Sequence, residues 1–381
     1  MGGWSGLFLP LVASAAAIGS LAVAAERTEI ETADGRRLTG TVVREAQDGS
    51  LLLEHGFGRY ELLAPDAIRC RTAVADGPPP PTAAEQGRLL LAELPVGFRF
   101  LTTKHYIVCF DTSRDYARWC AAIFERLHDA FGNYWRRAGL DLTDPEQPLV
   151  VVIYADKRAY EADAAGDLGG AAGRVAGYYN LLSNRVTTFD LTGSDLLAAD
   201  RGRPSGRVGL EILSSPAATG LIATLVHEAT HQLAFNSGMH RRLAPVPLWV
   251  SEGIAMYFET PDLKNDRGWT AVGAVNRPRL DHFLKSYRPG CVAAIVGDDA
   301  AFRSPDQALD CYATAWAVCH HLLQTRKSEF VDYLRDLGTG QPLDEDTPAE
   351  RLEAFRAAFG DPAAVEQAVV RSMARLAARP R

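Results

Sequence analysis

The sequence has few of the features that mark thiolate metal sites or nucleic-acid binding. It contains six cysteines in 381 residues, and no two of them stand in the C-x-x-C spacing of thiolate zinc sites. Its 40 basic and 47 acidic residues are mixed, without a large block of one sign, which argues against nucleic acid as a partner. Histidine is also scarce, with nine residues. Two of these nine stand four positions apart in one apolar segment.

The N-terminal segment lacks charge altogether. Residues 4 to 25 contain no charged side chain, and the apolar stretch from Leu7 ends in Ala22-Val23-Ala24-Ala25, an A-x-A type cleavage site. We predict that residues 1–25 are a signal peptide. An uncleaved anchor is the alternative, since no lysine or arginine precedes the apolar stretch. The protein is then exported to the periplasm, the cell surface or the medium, with membrane contact only through an uncleaved segment. The six cysteines could form disulfides there, and the sequence leaves their pairing open.

Residues 26–75 alternate in short strand-like runs. Asp34-Gly35 and Asp48-Gly49 mark hairpin turns, and about five strands are expected. The segment resembles SH3-like or Sm-like barrels, and its expected role is that of a structural or docking appendage. Residues 76–82 contain four consecutive prolines and form a stiff linker. Residues 83–381 are then a separate domain, which is long enough for a substantial core.

The first half of this larger domain mixes strands and helices. HYIVCFDT (105–112) and PLVVVIYAD (148–156) read as strands, with a long amphipathic helix between them. Residues 175–191 read as a hairpin that turns at Ser183-Asn184. Residues 193–215 form a polar loop, either a lid or an exposed connection. Beyond Pro305 the chain is mostly helical, so the fold class is α+β.

The string His-Glu-Ala-Thr-His at 227–231 lies in the apolar run GLIATLVHEATHQLAF. A helix that opens near Thr219-Gly220 and closes at Asn236 places His227 and His231 one turn apart on the same face. Both imidazoles can then reach a single cation, and Glu228 lies beside them as a candidate proton acceptor. The alternative is a buried helix whose histidines only make hydrogen bonds in the core.

A catalytic zinc site needs a third protein ligand, and the next helix supplies a candidate. The segment LWVSEGIAMYFE (248–259) follows Pro245 and Pro247, which end the first helix and stiffen the approach to the second. Glu252 lies near the start of this second helix. It can face back toward His227 and His231.

These two segments resemble the gluzincin branch of zinc peptidases, in which H-E-x-x-H and a glutamate on the following helix hold one zinc ion. More narrowly, the stretch from about Lys104 to Tyr333 is similar to a bacterial family described only as a domain of unknown function, number 1570, whose members are regarded as peptidases. The resemblance implies a zincin-like domain. In it, His227, His231 and Glu252 would be the zinc ligands and Glu228 the general base.

The resemblance also implies further features of the site. Membrane alanyl aminopeptidases share the second helix but carry a Gly-x-Met-Glu-Asn motif that is absent here, so their exopeptidase specificity does not carry over. In gluzincins a downstream tyrosine or histidine stabilises the oxyanion, and Tyr312 on an apolar helix is the candidate. Packing in a helix core is its alternative role. His320 and His321 are expected to be structural or exposed. By analogy with the fold, Arg185–Asp190 would be the edge strand beside the metal.

The resulting expectation is an exported zinc endopeptidase that acts on peptides or proteins. Glu228 would take a proton from the attacking water and pass it to the leaving nitrogen. Two alternatives remain: a binding or scaffold protein that keeps the zincin fold without turnover, and hydrolysis of a non-peptide amide.

Overall fold

A computed structural model of the protein describes residues 27–74, 81–190, 216–260 and 271–379. These residues form two five-stranded sheets and twelve helices, so the protein is a mixed α+β protein with an all-β N-terminal region. The predicted signal peptide, residues 76–80 of the predicted linker and the polar loop 193–215 lie outside the described residues. None of the helices in the described ranges is long and apolar enough to cross a membrane.

The N-terminal sheet is entirely antiparallel, with the strand order β4-β3-β2-β1-β5. Its five strands agree with the predicted number, and turns lie at both Asp-Gly pairs. Alternate side chains point inward and form a small core of its own around Ile30 and Leu53. A short 3₁₀ turn, Pro65–Ala67, precedes the last strand. The strands are β1 (Arg27–Thr32), β2 (Arg37–Glu45), β3 (Leu51–His55), β4 (Arg59–Leu63) and β5 (Ile68–Ala73).

The second sheet is mixed and has the order β6-β7-β8-β10-β9. Strands β7 and β8 are parallel, as are β8 and β10, whereas the two outer pairs are antiparallel. The central strands are fully buried, which fits their continuous apolar runs. The strands are β6 (Arg99–Thr102), β7 (Tyr106–Phe110), β8 (Leu149–Tyr154), β9 (Gly177–Asn180) and β10 (Arg185–Phe189).

The prediction of Arg185–Asp190 as the edge strand is wrong. This segment is β10, which pairs with β8 on one side and with β9 on the other. The predicted hairpin is present, but its first strand lies at the sheet edge because its second strand continues the parallel ladder of β8. Four of the five β10 residues are accordingly buried.

Helices cover the second sheet and form the C-terminal part, as predicted. The long amphipathic helix between β7 and β8 is α2, which Ser113 caps by accepting a hydrogen bond from the amide of Tyr116. A 3₁₀ segment, Gly169–Arg174, leads into β9. The helices are α1 (Ala83–Leu91), α2 (Arg114–Arg137), α3 (Lys157–Leu168), α4 (Pro216–Asn236), α5 (Leu248–Phe258), α6 (Arg277–Ser286), α7 (Cys291–Gly297), α8 (Ala300–Arg303), α9 (Ala308–Thr325), α10 (Lys327–Gly338), α11 (Pro348–Phe359) and α12 (Pro362–Ala377).

Helix α5 lies at the centre of the helical part, between α4 and α9. It approaches α9 closely at Gly253, where a Cβ atom would lie 2.2 Å from Sγ of Cys319 and 2.9 Å from the carbonyl oxygen of Ala315. Only glycine fits such a contact without movement of a neighbour. The crossing at Gly253 holds α5 against the core, with Trp249 and Trp316 fully buried nearby.

All six cysteines lie in described residues, and all are free thiols. Cys109, Cys120, Cys311 and Cys319 are buried. Burial raises the pKa of Cys109 to about 12 and that of Cys319 well above its ordinary value. These buried thiols therefore act as small apolar side chains in the core. None of the six cysteines forms a disulfide.

Candidate metal centre

Helix α4 carries the His-Glu-x-x-His string through the interior of the protein. It begins at Pro216, three residues before the predicted start, and ends at Asn236 as predicted. It packs against α2, β9 and β10 on one side and α5 on another, which explains why apolar residues occupy most of its circumference. His227, Glu228 and His231 are at most 2% exposed.

Helix α5 supplies the third side chain of the cluster. It begins at Leu248 directly after Pro247, and the amide of Leu248 donates a hydrogen bond to Oδ1 of Asp299. This hydrogen bond fixes the first turn of α5. Glu252 follows in the next turn, faces α4 and is 1% exposed.

The three predicted ligand side chains meet at one point. Nε2 of His227 lies 3.0 Å from Oε2 of Glu252 and 3.1 Å from Nε2 of His231, and the third side of this triangle measures 3.6 Å. A tetrahedral zinc ion with bonds of about 2.0–2.1 Å separates its ligand atoms by roughly 3.4 Å. The sides of the triangle are close to this separation, and these three residues could hold one metal ion.

The side chains of the cluster also shift one another's pKa values. Burial opposes protonation of His227, but hydrogen bonds to Glu252 and Glu259 outweigh it and raise the pKa of His227. Burial alone would raise the pKa of Glu252, whereas the neighbouring His231 and His227 lower it. Buried carboxylates of this kind are stable only when they are paired or coordinate a metal.

Glu228 lies beside this triangle with one oxygen held and one free. Its Oε2 accepts a hydrogen bond of 2.9 Å from the backbone amide of Tyr179, on edge strand β9. Its Oε1 is buried and has no hydrogen-bond partner among the residues that the structure describes. Burial and the charge of Glu252 raise the pKa of Glu228 to about 8, although His227 acts in the opposite direction. An unsatisfied buried carboxylate oxygen indicates a missing partner, such as water or substrate.

Glu259 belongs to the site, although no role was predicted for it. Its Oε2 accepts a 2.8 Å hydrogen bond from Nδ1 of His227, and its Oε1 accepts one of 2.6 Å from Asn276. Arg279, on α6, lies 3.5 Å from the same Oε1. A carboxylate behind a metal-binding histidine fixes the tautomer and orientation of the ring. The spacing in the sequence could have predicted this role, because Glu259 stands two helical turns after Glu252 and thus on the same face.

Tyr312 lies close enough to the cluster for its carboxylates to raise the pKa of the tyrosine. It is 7% exposed, and burial together with the charges of Glu252 and Glu228 raises its pKa well above the ordinary value. Its ring packs edge-on against Phe302 and lies 5.6 Å below the guanidinium of Arg279. This position is compatible with both the predicted oxyanion role and a packing role, so the former remains a prediction.

His320 and His321 are both buried and do not join the cluster. The ring of His320 packs against Trp316 and Tyr257, and Nδ1 of His321 lies 2.9 Å from the hydroxyl of Ser372. The structural role that was expected for them fits these contacts.

Comparison with known proteins finds a family match over part of the chain. A search of curated proteins finds no relative of this chain. Residues 221–344 match the model of a family described as "Protein of unknown function (DUF1570)". The matched stretch is shorter than the expected similarity from Lys104 to Tyr333, but it includes most of α4 and all of α5 and α9. The segment that carries the candidate metal ligands, Glu228 and Tyr312 therefore matches this family of unknown function.

Proposed function

We propose that the protein is a zinc-dependent peptidase of the gluzincin type, with a zincin-like catalytic domain. The observation that carries the proposal is the triangle of His227, His231 and Glu252, with the free oxygen of Glu228 beside it. Two imidazoles, one carboxylate and an adjacent general base are the donor set of hydrolytic zinc sites.

The side chains around the triangle have complementary roles in this mechanism. A zinc ion held by the three ligands would supply Lewis-acid activation of water and of the carbonyl group. Glu228 takes the proton of the attacking water at Oε1 and delivers it to the leaving nitrogen, while the amide of Tyr179 holds Oε2 in place. Glu259 holds the ring of His227, and Tyr312 donates to the developing oxyanion.

The sheet edge supports a peptide as the substrate. Among the strands that the structure describes, β9 pairs only with β10, so the backbone groups on its outer side face away from the sheet, and one of them reaches Glu228. An extended peptide could pair with this outer side and bring its backbone next to the general base. The proposal thus specifies peptide bonds.

The test compares cleavage of a broad peptide library with and without a chelator. We expect the parent to contain one zinc ion and to cleave peptides, and the chelator to abolish cleavage reversibly. Glu228→Gln should keep zinc and lose cleavage, whereas His231→Ala should lose both. Glu353→Gln, the same change at an exposed glutamate on α11, serves as the matched control and should behave as the parent.

Two outcomes would contradict the proposal. A Glu228→Gln protein as active as the parent would rule out the assigned base. Stoichiometric zinc without cleavage of any peptide would favour the binding or scaffold protein instead.

A further inference from the structure

The N-terminal β domain, residues 27–73, contacts the larger domain at several points, and one of them is the β9–β10 hairpin. The backbone amide of Tyr60 on β4 donates a 2.8 Å hydrogen bond to the carbonyl of Leu182 in the hairpin turn. Gly58, at φ +71°, lies so close to the same turn that a Cβ atom would be 3.1 Å from Nδ2 of Asn184. Its left-handed backbone and this close approach both favour glycine. The β3–β4 end of the domain is therefore fitted to the hairpin turn.

Arg242 joins three parts of the molecule at this point. It lies on the loop between α4 and α5 and is 5% exposed. Its NH1 group donates to the carbonyl of Leu181 at 3.2 Å, its NH2 group lies 3.3 Å from Oε1 of Glu54, and its guanidinium stacks on the ring of Tyr60 at 3.7 Å. Burial and stacking make such an arginine contact stronger than an exposed ion pair.

The interface between the two domains also contains a cavity. A cavity of about 770 Å³ opens beside these contacts, lined by residues of both domains that include Tyr60, His240 and Arg242. Arg44 also lines this cavity, where it pairs with Asp344 at 2.7 Å and not with a residue of the hairpin. Polar contacts beside the cavity therefore contribute to the attachment of the β domain to the hairpin.

From the hairpin turn a chain of hydrogen bonds leads to Glu228. The hydroxyl of Tyr179 donates to Oδ1 of Asn184 at 2.7 Å, and Asn184 also exchanges hydrogen bonds with the side chain of Asn236. The backbone amide of the same Tyr179 holds Oε2 of Glu228. A displacement of the turn would therefore move Tyr179, and with it the group that orients the carboxylate.

We propose that the N-terminal β domain positions Glu228 through the β9–β10 hairpin, with Arg242 as the positioning residue that fastens the hairpin turn. The effect on catalysis rests on the proposed function, whereas the mechanical link does not. The β domain is then a working part of the catalytic domain, in place of the separate appendage expected from the sequence.

The experiment compares Arg242→Ala with Arg44→Ala in the full chain. Both arginines are buried and both join the β domain to the larger domain, but only Arg242 contacts the hairpin. Hydrogen–deuterium exchange of the segment 177–189 is measured together with zinc content, kcat and KM. We expect about tenfold faster exchange of this segment in Arg242→Ala and parent-like exchange in Arg44→Ala, with zinc content unchanged in both. We also expect kcat of Arg242→Ala to fall about tenfold with little change in KM, since a small misplacement of a catalytic group is enough for such a loss.

The readouts separate the two proposals. Equal hairpin exchange in Arg242→Ala and Arg44→Ala would overturn the positioning role. Faster hairpin exchange in Arg242→Ala, together with a parent protein that cleaves no peptide, would keep the link and reject the peptidase. If Arg242→Ala does not fold, Arg242→Lys serves in its place, because lysine keeps the charge near Glu54 but cannot also reproduce the stacking and the bond to Leu181. Parent-like exchange and kcat in Arg242→Lys would then count against the proposal.

Discussion

Oε2 of Glu259 lies 2.8 Å from Nδ1 of His227, while Nε2 of the same ring faces Glu252. One imidazole therefore connects two carboxylates that stand two turns apart on α5. Glu259 is itself held by Asn276 and Arg279. This arrangement leaves His227 a single orientation, with Nε2 directed at the candidate metal position.

Replacing Glu259 should weaken zinc binding without removing a ligand. We expect Glu259→Ala to lower the affinity for zinc about 10- to 100-fold, because the ring of His227 loses its orienting acceptor. Glu259→Gln should lose less, since its amide oxygen can still accept the hydrogen bond. Competition with a chromogenic chelator measures both. An unchanged affinity in Glu259→Ala would show that His227 needs no support.

Tyr312→Phe tests the oxyanion role. We expect kcat to fall about 100-fold, with KM and zinc content close to those of the parent, because a lost oxyanion donor acts mainly on the transition state. Tyr106→Phe removes a hydroxyl from another fully buried tyrosine, on β7, and should leave kcat unchanged. Equal kcat values in Tyr312→Phe and the parent would assign Tyr312 to packing alone.

Gly253→Ala should destabilise the protein through the contact between α5 and α9. The new Cβ would meet Sγ of Cys319 and the carbonyl of Ala315, so we expect a loss of about 2 kcal/mol or more in the free energy of unfolding. Adding Cys319→Ala should recover part of that loss. Gly166→Ala is the matched control, because Gly166 lies on α3 with nothing within 4 Å of its Cβ position and should gain helix propensity instead. Chemical denaturation of the three variants measures these differences, and an unchanged stability of Gly253→Ala would contradict the close crossing.

The burial of His240 predicts that the stability of the protein depends on pH. It is 1% exposed, and burial, followed by the influence of His231, lowers its pKa to about 3. The folded protein therefore keeps His240 neutral at pH values where the unfolded chain takes up a proton, so stability is lost as the pH falls below about 6.5. At pH 5 this loss amounts to about 2 kcal/mol. Urea unfolding at pH 7 and pH 5 measures this loss. Between these pH values the free energy of unfolding should fall by about 2 kcal/mol less in His240→Gln than in the parent. Equal losses in the two proteins would mean that His240 is not buried as a neutral group.

Local spacing in the sequence was enough to predict the core of the candidate site. His227 and His231 are one helical turn apart, and Glu252 follows on the next helix, so their meeting depends on short-range geometry. Glu259 obeys the same helical spacing and could have been predicted from it. Sheet order depends instead on long-range pairing, which is why β10 rather than β9 was taken for the edge strand.

The contacts of the N-terminal β domain were beyond any local pattern. Arg242 and Glu54 are 188 positions apart in the chain, and nothing near either residue indicates that they meet. Arginine at the surface and arginine buried between two domains look alike in a sequence. Turns and prolines predicted that residues 26–75 are a separate domain, but they did not indicate its contact with the hairpin.

The short loop between α4 and α5 affects the order in which the parts of the site form during folding. The three candidate ligands and Glu259 all lie between positions 227 and 259, whereas Tyr179 reaches Glu228 across 49 positions. Contacts of short sequence separation close with less loss of chain entropy and form sooner. We therefore expect the helix pair to gain protection before the β9 hairpin, which pulse-labelled hydrogen exchange during refolding can measure. A metal-binding helix pair would then exist before the general base is oriented, so that metal affinity and hydrolytic competence would be acquired in separate steps.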